Sequence, residues 1–293
     1  MSTEGPTSDR SSAVISHARK AEMQLERLEL ELLLEAVFRH SGLDFRSYAR
    51  SSLKRRVKMR MEAEKLPTIS SLRERVLHEP RVLERLLGDL SVSVTAMFRD
   101  PTFFHTFREK VVPMLRDYPS FRIWHAGCAT GEEVYGTAIL LREAGLLERA
   151  RIYATDIKQS VLDRARRGIF PLANMQAYTT NYLRAGGLRS FSEYYVAKYD
   201  AALFDSSLID NVLFTQHNLA TDHSFTEFNV IFCRNVMIYF DEELRQRALG
   251  LFTSSLVDSG VLGLGKKESL RPTALAQRYE ALSQTEKLYR KVA

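Results

Sequence analysis

The chain has 293 residues, of which 45% are hydrophobic and 27% charged, and its formal net charge is +6. This length accommodates one large α/β domain and a smaller one, and we find neither an apolar run long enough for a membrane span nor a signal-peptide core in the polar first 25 residues. Cys128 and Cys233 form no disulfide framework or CxxC metal motif. Composition agrees with a cytoplasmic protein without membrane insertion and without a metal site but does not by itself identify one.

The N-terminal third predicts a disordered tail over residues 1–25 and a helical domain over residues 26–92. Apolar residues recur at helical spacing there, and Gly42, Pro67 and Pro80 interrupt the pattern. The predicted helices span residues 26–40, 45–64, 70–78 and 81–90.

Positive charge is concentrated in this helical domain. Residues 39–85 contain 13 Lys or Arg and 6 Asp or Glu, a local balance of +7. Leu53, Val57 and Met61 recur every fourth residue and predict a buried stripe, with Lys54, Arg55 and Lys58 directed away from it. The pattern leaves two interpretations open, a solvated helix face and a nucleic-acid-binding face. The basic residues in question are Lys54, Arg55, Arg56 and Lys58.

Residues 93–110 predict a linker and a connecting helix, and residues 111–293 alternate between strand and helix patterns. Such alternation is typical of a mostly parallel sheet with helices on both faces. Within it, the alternation breaks at a Tyr-rich polar stretch over residues 177–204. The sheet strands are predicted near residues 121–126, 152–155, 211–215, 229–233 and 260–264, with an edge strand near 287–292.

A small-residue loop follows the first predicted strand and leads into a helix. Gly127, Ala129 and Gly131 permit close approach to the backbone, and the helix start offers free amide groups to a ligand. Glu132 and Glu133 stand where a phosphate-binding loop would carry a lysine, which disfavours pyrophosphate and favours a positively charged cofactor such as S-adenosylmethionine. An ordinary buried strand, turn and helix is the alternative.

Polar residues also follow two other predicted strands. Asp156 ends the second strand, 29 positions after Gly127, where a carboxylate is suited to ribose hydroxyls. Arg234 and Asn235 follow the apolar run that ends at Cys233. In open α/β sheets ligands bind outside the carboxyl ends of the strands, so these residues are candidates for one site.

The ordered motifs resemble the CheR-type chemotaxis receptor methyltransferases, which methylate glutamate side chains of bacterial chemoreceptors. The resemblance implies a Rossmann-like S-adenosylmethionine-dependent methyltransferase domain with a small N-terminal all-helical domain. It also implies a small β-subdomain insertion at about residues 174–210. The motifs span most of residues 40–270, and they are Thr95–Pro101, Trp124–Tyr135, Ala154–Ile157, His217–Leu219, Ile231–Asp241 and Gly263–Leu270.

The resemblance implies S-adenosylmethionine as the cofactor and S-adenosylhomocysteine as its product. Ser93 stands where the family usually has Asn, and its hydroxyl retains one hydrogen bond but not the paired donor and acceptor of an amide. Carried over position by position, the cofactor-binding residues are Ser93, Thr95, Arg99, Glu132, Asp156, Asn218, Leu219, Arg234 and Asn235.

The chemistry implied for this family requires little acid–base catalysis, because a carboxylate is already a nucleophile at neutral pH. We expect Arg99 to orient the incoming carboxylate in a bidentate pair and Tyr239 to donate a hydrogen bond to it. A packing role is the alternative for Tyr239. The partner implied is the cytoplasmic domain of a chemoreceptor, met by Lys54, Arg55, Arg56 and Lys58 of a protein that we expect to be a monomer.

Two other classes of function compete with this interpretation. A nucleic-acid methyltransferase agrees with the basic segment, but enzymes that act on base amino groups commonly carry an Asn/Asp-Pro-Pro-aromatic motif where this chain has Arg234–Met237. We therefore expect no nucleic-acid partner. A non-catalytic S-adenosylmethionine-binding module would predict damage to the cofactor residues, of which only Ser93 departs from the family pattern.

Overall fold

The computed structural model describes residues 8–91, 95–270 and 273–292, with side chains from residue 19 onward. The chain divides into two compact units, Met1–Val92 and Ser93–Ala293. Along the part of the chain that is described, every helix is too short or too polar to cross a bilayer.

The first unit is helical. Its core is an apolar cluster in which the buried faces of all four helices meet, with Leu33, Val57, Leu72 and Leu86 among the fully buried side chains. The helices are α1 (Ser8–Ser41), α2 (Arg50–Ala63), α3 (Ile69–His78) and α4 (Pro80–Leu90).

Two helix starts in this unit differ from the prediction. Helix α1 begins at Ser8 instead of near residue 26, and its 34 residues contain neither Pro nor Gly, so nothing in the sequence stops the helix earlier. Helix α2 begins at Arg50 instead of residue 45, because Phe45 is buried and Arg46 pairs with Asp44 before the helix starts.

The second unit contains a seven-stranded sheet between helices. The helices are α5 (Pro101–Lys110), α6 (Val112–Leu115), α7 (Glu132–Glu143), α8 (Gln159–Arg167), α9 (Met175–Arg184) and α10 (Glu242–Ser255). The strands of the large sheet are β1 (Phe121–Ala126), β2 (Ala150–Asp156), β6 (Val212–Gln216), β7 (Phe228–Cys233), β8 (Leu256–Leu264), β9 (Tyr279–Ser283) and β10 (Leu288–Lys291).

The order of the large sheet is β6-β2-β1-β7-β8-β10-β9, and its first five strands are parallel. Strand β10 is antiparallel to both β8 and β9. The predicted edge strand near 287–292 is therefore an interior strand, and β9, which the sequence did not reveal, occupies the edge. The residues at the centre of β9 are exposed, so the strand has no continuous apolar run by which the sequence could have predicted it.

A small antiparallel sheet forms the insertion, in the order β3-β5-β4. It takes its first strand from residues before the predicted boundary at 174, because the backbone of Ile169–Pro171 pairs with the third strand. The strands are β3 (Ile169–Pro171), β4 (Tyr195–Lys198) and β5 (Ala201–Phe204).

Candidate cofactor and methyl-transfer site

The order of the strands creates a crevice at the carboxyl edge of the large sheet. From β1 the chain continues to β2 and β6 on one side, and then returns to place β7 on the other side of β1. Ligands of open α/β sheets bind at such a switch point, outside the carboxyl ends of the strands. The loops after β1, β2, β6 and β7 carry most of the residues predicted for the site.

The loop after β1 is fixed to the end of β2. The amides of Gly127 and Cys128 both donate to the carbonyl of Thr155 at 2.8 Å, and the amide of Ala129 donates to Asp156 Oδ2 at 2.9 Å. Gly127 has φ +81°, and a Cβ there would lie 2.5 Å from Val236 Cγ2. A glycine at this position therefore allows the loop after β7 to pack closely against the loop after β1.

Gly131 serves a similar purpose at the start of α7. It has φ +93°, and a Cβ there would lie 2.8 Å from the Cβ of Ala165 on α8. A glycine is required for both reasons. Glu132 and Glu133 occupy the first turn of α7, where negative charge interacts favourably with the helix dipole.

Asp156 retains the capacity to bind hydroxyl groups. Besides the bond from Ala129, its Oδ1 accepts from the amide of Lys158 at 3.1 Å, and an ionised carboxylate has about four acceptor positions. Burial raises the pKa of this carboxyl, and the two amide hydrogen bonds oppose that rise. The half-buried carboxylate therefore has acceptor positions left for hydroxyl groups, and contact with a ribose stays a prediction.

Glu132 is held by neighbours within the protein. Thr130 Oγ1 donates to Glu132 Oε2 at 2.6 Å, and the Tyr178 hydroxyl lies 3.4 Å from Oε1. Burial raises the pKa of Glu132 although both hydrogen bonds lower it. A cofactor-facing role for this residue stays a prediction.

Arg234 stands at the centre of a buried ionic network. Its Nη1 lies 2.8 Å from Glu133 Oε2, and its Nη2 lies 2.8 Å from Asp100 Oδ2 and 3.0 Å from the Arg99 carbonyl oxygen. The other oxygen of Glu133 lies 3.0 Å from His125 Nδ1. Burial disfavours the charged form of Glu133, but the bonds from His125 and Arg234 outweigh it and lower the pKa.

Arg99 lies between two residues with left-handed backbone. Phe98 has φ +51° and Asp100 has φ +57°. The Phe98 ring is fully buried and makes edge contacts with Phe104 and a tilted contact with Tyr182. Thr95 precedes this turn and is half-buried, and the prediction for Ser93 lies outside the described residues.

The loop after β7 is held by a buried carboxylate that the sequence did not single out. Glu268 accepts from the amides of Asn235 at 3.0 Å, Val236 at 2.9 Å and Gly265 at 2.6 Å. Burial raises the pKa of Glu268, although the hydrogen bonds from these amides lower it. Asn235 has φ +62°, and Tyr239 ends the short 3-10 turn that follows, half-buried.

The turn after β6 contains the two residues predicted to contact adenine. Asn218 Oδ1 accepts from the amide of Ala220 at 3.0 Å, and the amide of Asn218 donates to Asp222 at 2.9 Å. Leu219 is buried. These contacts fix the turn, and contact with adenine stays a prediction for both residues.

The predicted substrate-binding residues on α2 divide into two groups. Lys54 and Lys58 both pair with Glu26 of α1, at 2.5 Å and 3.2 Å, and Arg55 is exposed. The prediction for Arg56 as a surface residue is wrong. Its side chain is buried and caps α4 by donating to the Leu90 carbonyl oxygen.

Polar partners brought together from distant segments were not identified from the sequence. Glu133, His125 and Glu268 lie within quoted motifs, and no spacing rule relates them to Arg234 or Asn235. Arg56 did carry a signal, since it follows Leu53 by three residues and so lies on the same helix face. Among the described residues, no group of three or more His, Cys, Asp or Glu side chains is arranged for a metal ion.

Comparison with known proteins agrees with both units. Residues 93–288 match the family described as CheR methyltransferase, SAM binding domain, and residues 28–91 match CheR methyltransferase, all-alpha domain. The chain is 50% identical to Cher3 of Pseudomonas putida over 90% of this chain and 97% of that protein. It is 29% identical to chemotaxis protein methyltransferase 2 of Pseudomonas aeruginosa over 85% and 89% of the two chains, and 28% identical to the chemotaxis protein methyltransferase of Listeria innocua over 80% and 87%.

Proposed function

The chain belongs to the CheR methyltransferase family, and we propose that it transfers the methyl group of S-adenosylmethionine to glutamate side chains of chemoreceptors. The carboxyl edge of the large sheet carries the proposal. Asp156 is bonded there to the loop after β1, while Arg99 is bonded to Arg234 at the start of the loop that contains Tyr239. This connection supports a site in which Asp156 binds the cofactor while Arg99 and Tyr239 bind the carboxylate.

The cofactor supplies an electrophilic methyl group on a sulfonium sulfur when it is bound. The protein then has to hold a carboxylate in line with that methyl and exclude water, because the carboxylate is nucleophilic without a base. Arg99 orients the carboxylate through two parallel hydrogen bonds, and the Tyr239 hydroxyl donates a third.

The loops on the β2 and β6 side of the crevice bind the cofactor in this proposal. Asp156 accepts from ribose hydroxyls, and Asn218 and Leu219 border the adenine. Thr95, Glu132 and Asn235 complete the binding set, together with Ser93. Arg234 contributes from beneath the site, because its guanidinium is committed to protein partners.

The exposed basic residues of α2 are assigned to the receptor. Lys54, Arg55 and Lys58 attract an acidic receptor helix and raise the rate of encounter. The ion pairs of Lys54 and Lys58 with Glu26 lie at the surface and are weak enough to exchange for receptor carboxylates. The substrate lies on the cytoplasmic part of the receptor, so we propose that the protein acts in the cytoplasm, as a monomer.

The test uses the full-length protein, S-adenosylmethionine with a labelled methyl group, and purified cytoplasmic receptor fragments. We expect the receptor fragment to become labelled, and we expect alkali to release that label as methanol, as a carboxyl methyl ester requires. Glutamate-containing peptides should also gain the mass of one methylene group. The matched control is a fragment with those glutamates changed to alanine. Cofactor binding without transfer to any receptor fragment would instead identify a non-catalytic binding module, and label on duplex DNA or tRNA would identify a nucleic-acid methyltransferase.

A further inference from the structure

Arg234 does not have the surroundings of a residue that reaches into the crevice for a ligand. Its side chain is 1% exposed, its guanidinium carbon lies 3.9 Å from the centre of the Phe103 ring, and both terminal nitrogens are bonded to protein oxygens. A planar guanidinium that is stacked on one face and bonded on two edges is fixed in one orientation. Such a group is suited to holding backbone in place.

The backbone that it holds is the turn around Arg99. One terminal nitrogen of Arg234 binds both the Arg99 carbonyl oxygen and the carboxylate of Asp100. The flanking residues Phe98 and Asp100 have φ of +51° and +57°, a region that is unfavourable for a side-chain-bearing residue and persists only where surrounding contacts enforce it. The turn that presents Arg99 is therefore strained and is restrained by external contacts.

The same guanidinium also reaches the start of α7, which directly follows the loop after β1, here called the cofactor loop. Glu133 belongs to the first turn of α7, directly after the loop that begins at Gly127, and its second oxygen is bonded to buried His125 on β1. Arg234 thus joins three segments, which are the Arg99 turn, the end of β7 and the start of α7.

We infer that Arg234 is a positioning residue, which holds Arg99 in register with the cofactor loop through Asp100 and Glu133, and that it does not bind the cofactor itself. The inference rests on the proposed function, because it concerns how Arg99 meets the incoming carboxylate. The competing interpretation is a direct cofactor contact through Nε, which is buried and has no hydrogen-bond partner among the described residues.

The experiment compares Arg234→Met with Arg108→Met in the full-length protein. Arg108 is the matched control, because it also makes a buried ion pair in this unit, 2.6 Å from Glu143 Oε2. Turnover on receptor fragments, the KM for the fragment, the cofactor Kd and the melting temperature are measured for each folded variant. We expect Arg234→Met to lower kcat/KM by ~100-fold, the loss that misplacement by about 1 Å produces, and to leave the cofactor Kd within about threefold.

A double-mutant cycle with Arg99→Ala separates positioning from general destabilisation. If Arg234 acts through Arg99, then Arg234→Met has little further effect on turnover in the Arg99→Ala background, whereas independent effects multiply. Arg234→Lys and Asp100→Asn extend the test to milder changes, should Arg234→Met fail to fold. Asparagine tolerates left-handed backbone, so Asp100→Asn removes the charge while preserving the turn.

Failure of the inference and failure of the proposed function give different results. A cofactor Kd that rises tenfold or more with unchanged turnover at saturating cofactor would overturn positioning in favour of direct contact. Full multiplication of the Arg99 and Arg234 effects would also overturn it. If the wild-type protein binds cofactor but methylates no receptor fragment, the proposed function fails, and the inference about Arg99 fails with it.

Discussion

Charged side chains serve opposite purposes in two regions of the protein, the buried pairs of the second unit and the basic surface of α2 in the first. In the second unit, Arg234 and Glu143 have side chains that are 1% exposed, and each fixes groups from several segments. In the first unit, Lys54 and Lys58 are 43% and 54% exposed, and both pair with a single carboxylate, Glu26. Buried charges are costly to leave unpaired, whereas exposed pairs contribute about 0 to 1 kcal/mol. The pairs of Arg234 and Glu143 therefore fix geometry, whereas the pairs of Lys54 and Lys58 on α2 are exchangeable.

The largest effect is expected at Glu143, which supports the second unit without touching the proposed site. It lies 2.6 Å from Arg108 Nη2 and accepts from Leu188 N at 3.0 Å and from the hydroxyls of Tyr182 and Tyr194. Glu143→Gln removes the charge partner of Arg108, and we expect a loss of about 3 to 5 kcal/mol in the free energy of unfolding, as for a broken buried pair. Denaturant titration measures it, with exposed Glu242→Gln as the control.

The pH dependence of this effect has a defined sign. Burial opposes the ionisation of Glu143, but hydrogen bonds from Tyr182 and Arg108 outweigh it and lower its pKa in the folded protein. Its contribution is therefore present above the unfolded-state pKa and is lost as the pH falls through the folded-state value. The wild type should lose stability faster than Glu143→Gln on acidification below about pH 5. If the free energies of unfolding of the two proteins fell equally on acidification, Glu143 would not be the source of this pH dependence.

The second effect concerns ligand binding at the crevice. Asp156→Ala removes the proposed ribose acceptor and also the acceptor of the Ala129 amide. We expect cofactor affinity to fall by about 30- to 150-fold, or about 2 to 3 kcal/mol, because two charge-assisted hydrogen bonds are lost. Calorimetry with S-adenosylhomocysteine measures the affinity. Equal affinity in both proteins would exclude Asp156 from the site.

The third effect separates catalysis from binding. Tyr239→Phe removes one hydroxyl, so we expect turnover on receptor fragments to fall by about 10- to 30-fold, the value of one hydrogen bond to a charged group. The cofactor Kd should change by less than about threefold. Single-turnover kinetics and calorimetry on the same protein sample provide the comparison. Wild-type turnover in the variant would assign Tyr239 to packing.

Within the second unit, the sequence predicts the strands better than it predicts the contacts of the site. The strands that flank the crevice are apolar runs, and each stands within a few residues of its prediction because burial and sequence report the same property. Strand β9 lacks such a run and was missed. The partners of Asn235 and Arg234 come from segments more than thirty positions away, and only the folded chain brings them together. The apolar sequence pattern therefore predicts the strands that flank the site but not the hydrogen-bond network around Arg234 and Asn235.

The smallest effect on stability, and the sharpest test of the comparison, lies on α2. Arg55→Glu combined with Lys58→Glu reverses two exposed charges, and we expect the free energy of unfolding to change by less than about 1 kcal/mol. The matched control on the same helix is Arg56→Met. Arg56 is buried against the end of α4, so this variant should lose stability without slowing receptor association in its folded fraction.

Methylation by the charge-reversed protein should fall mainly through slower association with the receptor fragment, by about tenfold at low salt. The difference from wild type should shrink as salt is raised, because the Debye length of ~8 to 10 Å at physiological salt screens exposed charges. Glu26→Gln sharpens the test, since it frees Lys54 and Lys58 from their shared carboxylate and should speed association in the same salt range. Association rates across a salt series decide the outcome. If charge reversal leaves them unchanged while duplex or tRNA binding is lost, α2 is a nucleic-acid-binding face, and the exchangeable contacts of the first unit serve a different partner.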